Sequence, residues 1–383
     1  MSGDYLYIDS PSALAELCAH LRGRPWLAVD TEFMRERTYY PELCLVQVAT
    51  DDVVACVDPL ALPSLEPLLA LLLDERMVKV LHAARQDLEI FYHLAGRVPA
   101  PVFDTQVAAR FLGLPDQVGY GAAVQALLGI SLDKSHARTD WARRPLPAAA
   151  LDYAADDVRH LRNLYHKILT ELAARGRSAW VEPELKALAD EKLYRPDPEG
   201  VWSRIRGTQR LKPRSLAIFK TLAAWRERTA MAENRPRQWI VKDEALMDMV
   251  RQLPADLESL AAVRGVGESL AKRHGAEILK LLTAGGNEAP SEKHKRETSL
   301  RPDQEALVDA LNALLRLQAA KGEVNAASIA TRADLERLVR GERELPLLKD
   351  WRLDMAGREL LEFLEGRRVL SAAGGGLKVK PAE

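Results

Sequence analysis

Cysteine is scarce in this chain: three residues in 383, Cys18, Cys44 and Cys56, odd in number and without a Cys-x-x-Cys spacing. That excludes a disulfide scaffold and a thiolate zinc site. Cys44 and Cys56 stand in apolar stretches, where a free thiol serves as a small core residue. Long hydrophobic runs are missing as well. The most conspicuous, residues 67–73, falls far short of the roughly 20 residues a membrane-spanning helix needs. Asp4 comes early and no basic-then-apolar leader follows Met1, so a reducing, cytoplasmic setting is expected. Phosphate-cradling glycine loops, zinc spacings and nucleophile elbows are absent. No organic cofactor and no membrane partner are expected.

Net charge is nearly nil at −1, but it is divided along the chain. Residues 1–200 carry 21 Lys/Arg against 29 Asp/Glu, and residues 201–383 carry 33 against 26. Within residues 202–240 there are 10 basic and 2 acidic residues, interleaved with Trp202, Phe219, Trp225 and Trp239. A basic stretch following an acidic half suggests attraction to phosphates, although a charge run is more often a solvated face. Trp225 falls at helical spacing with Leu216, Phe219 and Leu222, which favours a core position over base stacking.

What is there is a set of acids in three short pieces. Asp30 and Glu32 lie in Leu27-Ala-Val-Asp-Thr-Glu-Phe33, Asp87 in Leu81-His-Ala-Ala-Arg-Gln-Asp-Leu88, and Tyr153 with Asp157 in Asp152-Tyr-Ala-Ala-Asp-Asp-Val158. Residues 26–30 read as a buried strand, so Asp30 and Glu32, two apart, point to one face. Asp87 falls in the first turn of a helix over 86–93. Tyr153 and Asp157 are i and i+4 on a helix over 147–171 and share a face. Taken singly, each piece has a plain alternative: a solvated strand end, an acid at a helix start, an ordinary helix-face pair. Together, four carboxylates from a strand and two helices point to hard divalent cations and hydrolysis at phosphorus.

The pattern Asp-x-Glu, Asp, Tyr-x-x-x-Asp resembles the exonuclease superfamily named for its four acidic residues, in its tyrosine subclass. Asp152, not histidine, stands five residues before Asp157, so the histidine subclass does not fit. More closely, Val29-Asp-Thr-Glu-Phe33, Leu81-His-Ala-Ala-Arg-Gln-Asp87, Asp133-Lys-Ser-His-Ala-Arg-Thr-Asp-Trp141 and Arg144-Pro-Leu146 resemble the bacterial ribonuclease D family. The resemblance implies a ribonuclease-H-like fold and 3′-to-5′ hydrolysis of RNA to nucleoside 5′-monophosphates, with tRNA precursors as substrates. It also implies two ions, Mg²⁺ or Mn²⁺. Asp30, Glu32 and Asp157 would hold one and Asp30 would bridge to the other, which Asp87 serves mainly through water. Tyr153 would position the attacking water. Substrate contacts are expected from His82, Gln47, Ser135, Asp140 and Trp141, though His82 and Gln47 equally suit structural roles and Trp141 could order the site. Asp104 is expected as a helix N-cap. A DNA exonuclease and a catalytically inert nucleic-acid-binding protein remain the alternatives.

Short apolar runs alternate with helical patterns over residues 1–175, predicting a mixed α/β sheet flanked by helices as the exonuclease domain. Residues 176–207 read as a connecting segment. Two all-α domains follow at 208–288 and 300–370, joined by a linker at 289–299 and ended by a loose tail at 371–383. The helical domains align at an offset of 89, Leu222 with Leu311, Ile240 with Ile329, Leu246 with Leu335 and Met249 with Leu338. The first resembles the helical domain shared by ribonuclease D and RecQ-type helicases, through Trp225-Arg-Glu-Arg-Thr-Ala230, Asn234-Arg-Pro236 and Arg264-Gly-Val-Gly267. The second departs from that pattern.

Overall fold

The apolar runs of the first hundred or so residues become one mixed sheet of six strands. These are β1 (Leu6–Ile8), β2 (Trp26–Met34), β3 (Glu42–Ala49), β4 (Val54–Val57), β5 (Val78–Leu81) and β6 (Val102–Asp104), in the order β1-β4-β3-β2-β5-β6. The computed structural model describes residues 5–132, 139–284 and 300–382. β3 and β4 are antiparallel, closed by a turn in which the Thr50 N–H donates to the Val53 carbonyl at 2.9 Å. The pairs β1/β4, β2/β5 and β5/β6 are parallel. β6 escapes a sequence reading because three residues between Pro101 and a helix cap show no period.

Among the described residues, seven α-helices belong to this part of the chain: α1 (Pro11–Leu21), α2 (Glu66–Leu72), α3 (Arg85–Ala95), α4 (Thr105–Ala109), α5 (Tyr120–Leu128), α6 (Ala148–Ala174) and α7 (Ser178–Ala187). α6 buries Ala150, Ala154, Val158, Leu161, Leu164 and Ile168, a helical stripe that covers one face of the sheet. At its far end Tyr165 and His166 pack on the Trp26 ring of β2.

The described residues form two compact units. One gathers the chain up to Glu32, Cys44–Leu193 and the residues from 300 onward; the other gathers Phe33–Leu43 and the residues from Tyr194 to 284. The segment expected to be a plain connector, 176–207, is thus split: α7 belongs to the sheet unit, and the short turns after Tyr194 belong to the helical one.

The helical unit contains α8 (Pro213–Ala232), α9 (Arg237–Ile240), α10 (Asp243–Gln252), α11 (Leu257–Ala262) and α12 (Gly267–Ala284). Its core holds Phe219, Leu222, Trp225, Leu246, Met249 and Ile278. Trp225 is therefore a core residue. Tyr39 packs on this core, its hydroxyl donating to buried Glu227 (2.5 Å), while Asn234 accepts the N–H groups of Tyr39 and Tyr40 at 3.1 Å each. Gly265 and Gly267 both take positive φ, +85° and +69°, making a tight turn into α12.

The chain after 300 repeats this plan at the offset read from the sequence. α13 (Pro302–Lys321), α14 (Ala326–Ile329) and α15 (Arg332–Val339) each start 89 residues after α8, α9 and α10. Both copies leave the long helix through a left-handed non-glycine residue, Asn234 (φ 46°) and Glu323 (φ 48°). The second copy belongs to the sheet unit. Arg177 donates to the carbonyls of Phe111 (2.7 Å), Gly322 (2.5 Å) and Glu323 (3.0 Å), and Trp180 stacks on Trp351 at 4.6 Å.

The loose tail expected at 371–383 is instead mostly strand. β7 (Arg368–Ala373) and β8 (Gly376–Pro381) pair antiparallel, and Leu370 and Val379 pack on the core of the second helical copy. Gly374 and Gly375, which suggested looseness, supply the positive φ angles (+62° and +76°) that a tight hairpin turn needs.

Candidate active site

Alternation along β2 puts Asp30 and Glu32 on the face that α6 covers, and Thr31 on the other. α6 brings Asp157 to the same place. One carboxylate oxygen from each of Asp30, Glu32 and Asp157 lies within 4.8 Å of the others. Tyr153, one turn before Asp157, hydrogen-bonds its carboxylate. Asp87 at the start of α3 is not in that trio. It is 8 % exposed, accepts the Thr31 hydroxyl at 2.5 Å, and is close enough to Asp30 and Glu32 for repulsion to register.

Crowded half-buried carboxylates resist ionisation. Burial, then repulsion from Asp30, Asp157 and Asp87, pushes Glu32 up to about 9. Asp157 is raised by burial and then by Asp30, against the lowering effect of the Tyr153 hydrogen bond. Asp87 is raised by burial and then by Asp30. Tyr153 is raised by burial, then by Asp157, Glu32 and Asp30, so its phenol keeps its proton.

Around this cluster the structure adds residues that no spacing rule indicates. Tyr120, the first residue of α5, donates its hydroxyl to the Asp157 carbonyl and so braces the helix turn that carries the carboxylate. Asp104 is the N-cap of α4, as expected, and does more. Its carboxylate accepts the N–H groups of Gln106 (2.8 Å), Val107 (3.3 Å), Ala84 (2.9 Å) and Ala83 (3.1 Å), so it also fixes the turn before α3. Ala83 there has φ 56°, a left-handed backbone that such bonding stabilises. A lone Tyr and a lone Asp give a sequence reader nothing to count.

The expected substrate contacts fare unevenly. His82 has both ring nitrogens engaged, Nε2–H donating to the Val118 carbonyl (3.0 Å) and Nδ1 facing the Thr105 hydroxyl at 2.9 Å. Burial lowers its pKa, and its ring packs edge-on to Tyr120 at 5.3 Å. Both ring nitrogens are thus engaged within the protein, the arrangement that the structural alternative for His82 requires. Gln47 has no exposed surface at all, and its amide atoms have no partner among the described residues. A residue so enclosed cannot touch substrate in this conformation. Trp141 is buried, its ring 6.4 Å from that of Tyr153, which favours ordering of the site over contact. Asp140 is exposed, its Oδ1 accepting the Ala142 N–H at 3.2 Å. Ser135 lies outside the described residues.

An Asp-x-Glu strand facing a Tyr-x-x-x-Asp helix on a mixed sheet gathers hard oxygen donors of the kind that hold divalent cations. A family profile for 3′-5′ exonucleases matches residues 5–173, and the HRDC domain profile matches 215–282. The chain is 43% identical to the ribonuclease D of Granulibacter bethesdensis, over 97% of its own length and 95% of the relative's. It is also 43% identical to that of Gluconacetobacter diazotrophicus, over 99% and 98%. The crystal structure of Escherichia coli RNase D, described as an exoribonuclease involved in structured RNA processing, superposes with a TM-score of 0.80 at 31% identity, covering 95% of this chain and 99% of that one. The chain belongs to the ribonuclease D family. It is a hydrolytic 3′-to-5′ exoribonuclease, its substrate is RNA, and the family generally uses divalent metals. No helix among the described residues is long and apolar enough to cross a membrane.

Proposed function

We propose that Asp30, Glu32 and Asp157 hold one divalent ion, Mg²⁺ or Mn²⁺, that Asp30 and Asp87 serve a second, and that Tyr153 orients the attacking water. The observation that carries this is the convergence of three carboxylate oxygens within 4.8 Å. The donors are all hard oxygens, and the repulsion that adds to burial in raising Glu32 to about 9 is the kind a bound cation cancels. When bound, such ions activate water and neutralise charge on the attacked phosphate and the departing oxygen. Tyr153 donates its hydroxyl hydrogen bond to the Asp157 carboxylate, which leaves its oxygen lone pairs to accept a hydrogen from that water. Burial and the neighbouring carboxylates raise its pKa in the metal-free protein, in keeping with an orienting role. The product is a nucleoside 5′-monophosphate. Asp140 is the exposed candidate for contact with the 3′-terminal nucleotide, together with Ser135. The proposed setting is the cytoplasm and the proposed RNAs are tRNA precursors, in keeping with the structured RNA processing described for the E. coli enzyme.

Nucleotide release from matched RNA and DNA oligonucleotides, with and without chelator, tests this reading. Mononucleotides should appear from RNA with Mg²⁺ or Mn²⁺ and vanish with EDTA. Release that survives EDTA would remove the metal assignment, and equal rates on DNA would remove the preference for RNA.

The basic stretch also has a structural basis. Residues 200–226 contain no Asp or Glu, and Arg204, Arg206, Arg210, Lys212 and Arg214 are all exposed, with no acidic partner among the described residues. Many other cations are paired in both helical copies, as in Arg226–Asp243 and Arg237–Glu227 of the first and Arg301–Asp303 and Arg332–Asp309 of the second, so it is this cluster of five that sets the first copy apart. We assign phosphate attraction to the first. Changing the five to Gln should weaken RNA binding and flatten its salt dependence by about 0.7 in log–log slope for each phosphate of a single strand that is no longer neutralised. Affinity against salt for both proteins measures this, and an unchanged slope would defeat the assignment. Deleting residues 208–383 is a poorer test, because it strips Tyr39 and Arg177 of their partners as well.

A further inference from the structure

The Arg144-Pro-Leu146 motif is not used by the chemistry above, yet all three guanidinium nitrogens of the partly buried Arg144 bond to the protein itself. Nε and Nη2 donate to the two oxygens of Asp58 at 2.6 and 2.7 Å. Nη2 also donates to the Cys44 carbonyl of β3 (2.7 Å), and Nη1 to the carbonyls of Trp141 (2.7 Å) and Arg143 (2.9 Å). Asp58, directly after β4, is 1 % exposed and further accepts the Tyr7 hydroxyl (2.5 Å) and the Leu60 N–H (2.9 Å). Its own N–H donates to the Ile8 carbonyl of β1 at 2.8 Å. Burial pushes the Asp58 carboxyl up, but the hydrogen bonds from Arg144 and Tyr7 outweigh it and hold the group ionised below its ordinary range.

One rigid fork therefore ties the loop before α6 to three strands of the sheet. That loop carries the buried Trp141, whose ring lies against Tyr153, and it ends at buried Leu146, two residues before α6 begins. A lysine could keep the charge but not this geometry, because five donors in one plane are particular to arginine. We propose that Arg144 is a positioning residue for hydrolysis: by bracing the 140–146 loop on Asp58 and Cys44 it sets the Trp141 ring that holds Tyr153 at its water-orienting position. This rests on the role given to Tyr153 above.

A double-mutant cycle separates positioning from mere stability. Arg144→Lys should lower kcat by about tenfold or more with KM changed less than about twofold, at a temperature well below its melting point. In a Tyr153→Phe background the same change should cost less than about twofold, since the group it acts through has gone. Asp58→Asn, which keeps the shape and removes the charge, should follow the same pattern and serves if Arg144→Lys fails to fold. Equal losses in both backgrounds, or unaltered kcat in the single variants, would overturn the role of Arg144 while leaving that of Tyr153 intact. A fully active Tyr153→Phe would overturn the water-orienting reading, and this inference with it.

Discussion

Asp30→Ala should release no mononucleotide from RNA that the native enzyme digests to completion, and its metal-free form should melt no lower than the native protein. Asp30 is the strongest repelling neighbour of each other member of the cluster: among the charges acting on Glu32, Asp87 and Asp157 it is the largest. Removing it takes away the ligand proposed to be shared by both ions, and also the largest source of repulsion when no ion is bound. pH reports on the second effect. Glu32 titrates at about 9 in the folded chain against an ordinary 4.5, so its contribution is intact below the ordinary value and drains away as pH rises through about 9. Metal-free native protein should thus lose stability across that window, and Asp30→Ala should flatten the loss. Melting curves in EDTA at several pH values check the stability claim, and an Asp30→Ala enzyme with near-native activity would remove the metal assignment.

Tyr153→Phe should reduce kcat by about 10²–10⁴-fold, the range typical of a group that positions or transfers a proton in the transition state, with RNA affinity little changed. The phenol oxygen is the only atom removed, and the ring packed beside Trp141 stays. Single-turnover rates at saturating RNA separate the cases. A defect confined to KM would make Tyr153 a substrate-binding residue instead. Since burial and then the neighbouring carboxylates raise Tyr153, the phenol of the metal-free protein should stay protonated near neutral pH.

The legible parts of this chain were those carried by local periodicity. An extended strand forces Asp30 and Glu32 to one face, and a helix forces Tyr153 and Asp157 to one face, whatever surrounds them. The same holds for the repeat: buried apolar residues at Leu222/Leu311 and Leu246/Leu335 had to recur because each copy must bury the same helix stripe. Where the period was too short or carried no side-chain pattern, reading failed. β6 has three residues, and the glycine-rich end looked like a tail because glycine signals both looseness and tight turns.

Contacts between distant segments were illegible in another way. His82 and Gln47 look like polar residues beside a site in any one-dimensional reading. Only the packing shows that Thr105 and Val118 occupy one and that the other has no exposed surface. Tyr120 and Asp104 stand alone in the sequence, and their work on Asp157 and on the α3 turn appears only when α4, α5 and α6 are assembled. Residue type and spacing were enough to say which acidic groups share a face, because they govern what a strand or a helix can present. How those groups are held came from the assembled fold, as did the separation of Asp87 from the trio of carboxylates and the place of the second helical copy with the catalytic sheet. Such arrangements depend on which surfaces bury one another across distant parts of the chain, and no local pattern encodes that.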